Sequence, residues 1–126
     1  MAVHGIVVSV ILGKTAEDVS TLKVSGYLDI TTAGELENAL AGLLDNNYHK
    51  IVVDLSGATY ISSAGWGIFI GEIKGIRDRG GDLKLAGMVG DVYEVFQLLE
   101  FQSILEAYST ATEAVDAFAR SSATPG

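Results

Sequence analysis

The chain has 126 residues, with 8 Lys and Arg against 16 Asp and Glu, a formal net charge of −8, and no cysteine. This length suits a single domain over 1–126, and 48% apolar residues with one proline exclude a disordered or collagen-like chain. The missing cysteines exclude a disulfide framework, Cys-ligated zinc, an iron–sulfur cluster and a thiol nucleophile, while the acidity argues against nucleic acid and anionic membrane as partners.

Residues Met1 to Leu12 are apolar but lack the basic start of a signal peptide, and no run reaches the 18 apolar residues of a membrane span. The expectation is a soluble, cytoplasmic protein with no membrane insertion. Val3 to Leu12 is rich in Val and Ile and predicts a strand, Gly13 to Asp18 a turn, and Val19 to Ser25 a half-buried strand by its alternation, so residues 3–25 read as a hairpin. Leu36, Leu40, Leu43 and Leu44 then recur at helical spacing. Thr32-x-x-Glu35 ahead of them is a capping box, which places a helix near 32–46.

Ile51 to Leu55 reads as a short buried strand, followed by a loop of small residues. The second helix follows Ser62-Ser63, carries Trp66, Phe69, Ile73 and Ile76 on one stripe, and ends at Gly80-Gly81. Leu83 to Ala86 is a strand, Val92, Val95, Phe96 and Leu99 mark a third helix started by Asp91, and Ile104 to Ala107 a last short strand. Thr110-x-x-Glu113 caps a final helix with Val115 and Phe118, and the end from residue 120 onward, SSATPG at its close, reads as a loose tail. Strands alternating with helices predict an α/β fold with a four- to five-stranded sheet, an N-terminal hairpin and about four helices mainly on one face.

Enzymatic chemistry finds little support. His4 and His49 have no spacing to each other or to a carboxylate that would bind a metal, and no cofactor is implied. Ile61 stands where a nucleophile elbow around Ser63 needs glycine, and the Gly-rich stretches lack the P-loop lysine. The informative segment is Asp54 to Gly71, in which a buried strand leads to two adjacent hydroxyls at a helix start. Serine there caps orphan N–H groups and contributes about 0.5–2 kcal/mol. The same N-terminus also suits a phosphate, because free N–H groups and the helix dipole both attract an anion. Gly67, Gly71 and Gly75 recur inside this helix at a cost of about 1 kcal/mol each relative to Ala. They predict a close backbone approach, by the protein's own sheet in preference to a partner.

These segments together resemble the bacterial anti-sigma factor antagonists, single-domain members of the STAS family. The resemblance runs over roughly residues 3–119: the hairpin, Gly26-Tyr-Leu-Asp29, Ile51-Val-Val-Asp-Leu55, Tyr60-Ile-Ser-Ser-Ala-Gly-Trp-Gly67, Arg79-Gly-Gly-Asp-Leu-Lys-Leu-Ala86 and Val95-Phe-Gln-Leu-Leu-Glu-Phe101. It implies that Ser63 is phosphorylated by a serine kinase that is itself the anti-sigma factor, that the unphosphorylated protein binds this kinase and frees a sigma factor, and that a PP2C-type phosphatase resets the switch. It also implies a partner surface of Asp29, Thr31, Ser62, Ser63, Ala64, Gly65 and Trp66 on a monomer or weak dimer. Ser62 stands where the family usually has Asp, which leaves Ser62 as the alternative acceptor. Trp66 replaces the usual Leu and suits core packing more than an exposed anchor. Glu100 replaces a frequent Gly at the end of the third helix, a change confined to the cap. The same fold also serves as a non-phosphorylated accessory subunit of a transport ATPase or as a scaffold subunit of a stress-signalling assembly.

Overall fold

In the computed structural model, which describes residues 5–13 and 19–123, the Val- and Ile-rich run forms β1 (Ile6–Ile11) and pairs antiparallel with β2 (Ser20–Leu28). Val3, His4 and most of the expected turn, residues 14–18, lie outside the described residues. The chain continues through α1 (Ala33–Asp45), β3 (Lys50–Ile61), α2 (Ser63–Asp78), β4 (Asp82–Ala86), α3 (Gly90–Leu98), a 3₁₀ turn (Phe101–Ser103), β5 (Glu106–Tyr108) and α4 (Ala111–Ala123). Strand order is β1-β2-β3-β4-β5, with β2 to β5 all parallel. Helical crossovers between these parallel neighbours are what the strand–helix alternation requires.

Alternation along the strands sorts the core into two layers. Leu22, Val24, Ile51, Val53, Leu55, Leu83 and Leu85 turn one way and meet α1, α2 and α3. Val52 and Ala86 turn the other way and meet Ala114 and Phe118 of α4. Three helices therefore cover one face, as expected, and α4 alone covers the other.

Lys84 points into this second layer and is 3% exposed. Its Nζ lies 3.1 Å from Asp82 Oδ2, 2.7 Å from Glu106 Oε1 and 4.7 Å from the centre of the Phe118 ring. Burial pulls the ammonium pKa down, but the hydrogen bonds to Glu106 and Asp82 outweigh it and hold the group above its ordinary value. The Glu106 carboxyl is correspondingly lowered, first by Lys84 and then by the Tyr108 hydroxyl.

Several local expectations change. The expected loop after Leu55 is strand, because β3 runs on to Ile61 and stays paired with β2 through two register shifts. Thr32 does cap α1 by position but forms no capping box, its hydroxyl being used elsewhere. Val89, not Asp91, occupies the N-cap of α3. The final capping motif does form: Thr110 Oγ1 accepts from the Glu113 amide at 3.1 Å, and Glu113 Oε1 accepts from the Ser109 amide at 3.2 Å. Helix α4 continues through Ala123, past the start of the expected tail, and residues 124–126 lie outside the described residues.

The end of α2 is a complete Schellman turn: the Gly81 amide donates to Ile76 O and the Gly80 amide to Arg77 O, with Gly80 at φ +84°. The end of α3 uses the same left-handed conformation with the wrong residue. Glu100 sits there at φ +58°, where a side chain is strained.

Candidate partner-docking site

Strands β2 and β3 run parallel and end together, so the residues that follow them share one end of the sheet. After β2 comes the Asp29–Thr32 turn; after β3 comes the start of α2. The Ser62 amide donates to Leu28 O at 2.9 Å, tying the two together. Gly65 makes the approach possible, since a Cβ there would stand 2.7 Å from Leu28 Cγ and 2.9 Å from Ile61 Cγ2. Gly65 is buried and forms the back of the site, not its surface.

The Asp29 turn is built from its own side chains. Asp29 Oδ1 accepts from the Thr31 amide at 2.9 Å and from the Thr31 hydroxyl at 2.6 Å. The Thr31 hydroxyl leads the contacts that hold the Asp29 carboxyl below its ordinary value. The Thr32 hydroxyl donates to Tyr27 O at 2.7 Å and accepts from the Asp29 amide at 2.9 Å. Thr32 is thus the buried rivet of this turn, which explains why it is not available to cap α1. Ile30 at the tip is 81% exposed. Ile30 did not stand out in the sequence; its signal was a large apolar side chain inside a polar turn.

The two serines are inequivalent. Ser62 is the half-buried N-cap, and its Oγ accepts from the Gly65 amide at 3.4 Å. Ser63 is the first helical residue and exposed, with no hydrogen bond from its hydroxyl among the described residues. Ala64 is half-buried beside it. Trp66, grouped with the partner surface by resemblance, is instead 2% exposed, within 6.2 Å (ring centres) of Phe69, Phe96 and Phe101. It supports the start of α2 from beneath, the packing role that its place on the apolar stripe favoured.

The glycine stripe overturns an expectation. Gly67, Gly71 and Gly75 are exposed, and a Cβ at any of them would meet nothing within 4 Å. No strand approaches them; the sheet-facing side of α2 is Ile68, Phe69, Ile73 and Ile76.

Among the described residues, no cluster of three His, Asp or Glu could hold a metal, and no helix is long and apolar enough to cross a membrane. A cleft of about 520 Å3 opens between α3 and β5, and the carboxylate among its lining residues, Glu106, is engaged by Lys84 and Tyr108.

A hairpin-led mixed sheet whose central parallel strands present a serine-capped helix is the architecture of a STAS domain. The STAS domain model matches residues 11–114, and the chain belongs to that family. Its relatives include the anti-sigma-B factor antagonist of Staphylococcus aureus, 30% identical over 68% of this chain and 82% of that one. The anti-sigma-B factor antagonist of Staphylococcus epidermidis is 28% identical over 73% and 88%. A Thermotoga maritima protein assigned as an anti-sigma factor antagonist superposes with a TM-score of 0.75 at 25% identity, over 87% of this chain and 94% of that one.

Proposed function

We propose that this protein is an anti-sigma factor antagonist that works by partner binding and not by catalysis, switched by phosphorylation of Ser63. The unphosphorylated form binds a kinase-type anti-sigma factor through the Asp29–Thr32 turn and the start of α2, releasing a sigma factor. A PP2C-type phosphatase restores that form. The names of the relatives support the coarse reading. The observation that carries the finer one is the division of labour at the helix start, where Ser62 spends its oxygen on the cap and Ser63 presents a hydroxyl to solvent.

A phosphate on Ser63 adds about −1.5 to −2 charges. At the first residue of α2 that charge is favourable to the helix itself, through the open amides and the dipole. The fold therefore tolerates it, and the effect falls on the docked partner. Repulsion from the partner's carboxylates and desolvation of the dianion then release the complex.

Incubation with the cognate kinase and ATP should add a single phosphate, which Ser63→Ala abolishes. Full labelling of Ser63→Ala, together with loss in Ser62→Ala, would overturn the assignment. Ser63→Asp should weaken kinase binding while leaving the fold intact, and equal affinity would refute the repulsion mechanism.

A further inference from the structure

Resting on the partner reading above, we infer that Ile30 is the apolar anchor of this docking surface. Its side chain enters an apolar pocket on the anti-sigma factor and sets the affinity, whereas Ser63 sets the switch.

Ile30 is 81% exposed, more than any other large apolar side chain among the described residues. The Thr32 and Ala33 amides both donate to Asp29 O, at 3.1 and 2.8 Å, so Ile30 is the second residue of a closed turn. Asp, Asn, Ser, Gly and Pro serve such turns, each for its own physical reason, and isoleucine serves none of them. At this exposure the side chain gains almost nothing from burial within its own fold.

A single exposed apolar residue is ordinary on a protein surface, and the setting is what distinguishes Ile30. The chain has 8 basic and 16 acidic residues, yet segments 24–34 and 55–71, which bring the site together, carry one charge between them, on Asp29. Depletion of charge is the mark of an interface core. Tyr27 and Tyr60 are register partners with ring centres 6.0 Å apart, two residues before Asp29 and two before Ser62. Both are exposed, so an aromatic side chain leads into each half of the site. An anchor ringed by weaker contacts that exclude water is the usual anatomy of a binding hot spot.

The turn is also prepared for docking. The Thr31 amide and hydroxyl clasp Asp29 Oδ1, and the buried Thr32 hydroxyl ties the Tyr27 carbonyl to the Asp29 amide. The Ser62 amide holds Leu28 O from the α2 side. Isoleucine itself is stiff at χ1 because it branches at Cβ. Little freedom remains to be lost on binding, which favours affinity from a single side chain.

Calorimetry of the unphosphorylated full chain against the anti-sigma factor kinase that labels Ser63 tests the assignment. Ile30→Ala should weaken binding at least about tenfold, or 1.4 kcal/mol, and Ile30→Val should lose less. Tyr60→Ala should also lose less than Ile30→Ala. Ile11→Ala should lose nothing, since Ile11 is exposed beside Thr21 at the opposite end of β2. In the labelling reaction Ile30→Ala should raise the KM for this protein and leave kcat unchanged, the signature of lost docking and not of lost chemistry. Its melting temperature should match wild type.

Wild-type affinity in Ile30→Ala would overturn the anchor while leaving the Ser63 switch standing. A larger loss in Tyr60→Ala would transfer the anchor to the tyrosine pair and overturn it too. So would a lowered melting temperature in Ile30→Ala, which would make the residue a support of its own turn. A wild-type chain that binds no anti-sigma factor would overturn the partner reading and the anchor together.

Discussion

The Ser62 amide and the Leu28 carbonyl share a 2.9 Å hydrogen bond, with Gly65 packed where any larger residue would strike the Leu28 side chain. That one contact sets the distance between the Asp29 turn and the start of α2. Gly65→Ala should therefore cost about 1–3 kcal/mol by overpacking. Leu28→Ala alone should cost about 2–5 kcal/mol as a buried truncation. The double variant should lose less than the sum, because the shorter side chain gives the new methyl room. Urea unfolding of the four proteins measures the coupling, and strict additivity would refute the contact's role.

Ser62 and Ser63 should separate in stability as cleanly as in labelling. Ser62→Ala removes the cap of α2 and should lower stability by about 0.5–1 kcal/mol, the low end because the bond is 3.4 Å long. Ser63→Ala removes no hydrogen bond among the described residues and should fall within about 0.5 kcal/mol of wild type. Denaturant midpoints at equal slope test this pair. A larger loss for Ser63→Ala would reverse the assignment of cap and free hydroxyl.

Glu100 occupies a left-handed position that glycine fills without strain. Glu100→Gly should therefore stabilise the protein by about 1 kcal/mol, the relief of left-handed strain exceeding glycine's entropic cost in the unfolded chain. Thermal unfolding reads the shift. An unchanged or lower melting temperature would mean that Glu100 makes a compensating interaction.

The buried Lys84 makes stability depend on pH at both ends. Glu106 is held below its ordinary 4.5, so its contribution is present above that pH and is lost as pH falls through the lowered value. Lys84 is held above its ordinary 10.5, so its contribution is present below that pH and is lost as pH rises through the raised value. Lys84→Met should flatten both limbs, leaving Asp82 and Glu106 partly hydrated. Unfolding free energies measured from acid to alkaline pH compare the two proteins, and superimposable profiles would dismiss the cluster as the cause.

Much of the fold was legible because its signals are local and periodic. The leucines of α1, the Trp66–Ile76 stripe of α2 and the Ile51–Leu55 run each declare one buried face. The errors have different physical sources, one long-range and one local. Residues 56–61 look like a loop because Ser56, Gly57 and Ala58 are weak strand signals, yet the β2 ladder holds the segment extended. Thr32 has a capping sequence, but the carbonyl of Tyr27 and the amide of Asp29 compete for its hydroxyl and win. Of the candidate site, the motif singles out Ser62, Ser63 and Asp29. Gly65's contact with Leu28 and the burial of Lys84 depend on residues distant in sequence, which no window reveals.

The open stripe on α2 gives the last test. Gly71 and Gly75 face solvent, and a methyl group at either would meet nothing within 4 Å, so no packing within the described fold requires glycine there. Each should then behave as an exposed mid-helix glycine, and Gly71→Ala or Gly75→Ala should stabilise the isolated protein by about 0.5–1 kcal/mol. The two changes lie more than one helical turn along from Ser63 and leave its hydroxyl untouched. If a docked anti-sigma factor uses the stripe for close backbone approach, the same substitutions should weaken that complex while raising the melting temperature of the free protein. Calorimetric binding beside thermal unfolding separates the cases: stabilisation with unchanged affinity confines the docking surface to the Asp29 turn and the first turn of α2, whereas opposite signs extend it down the helix.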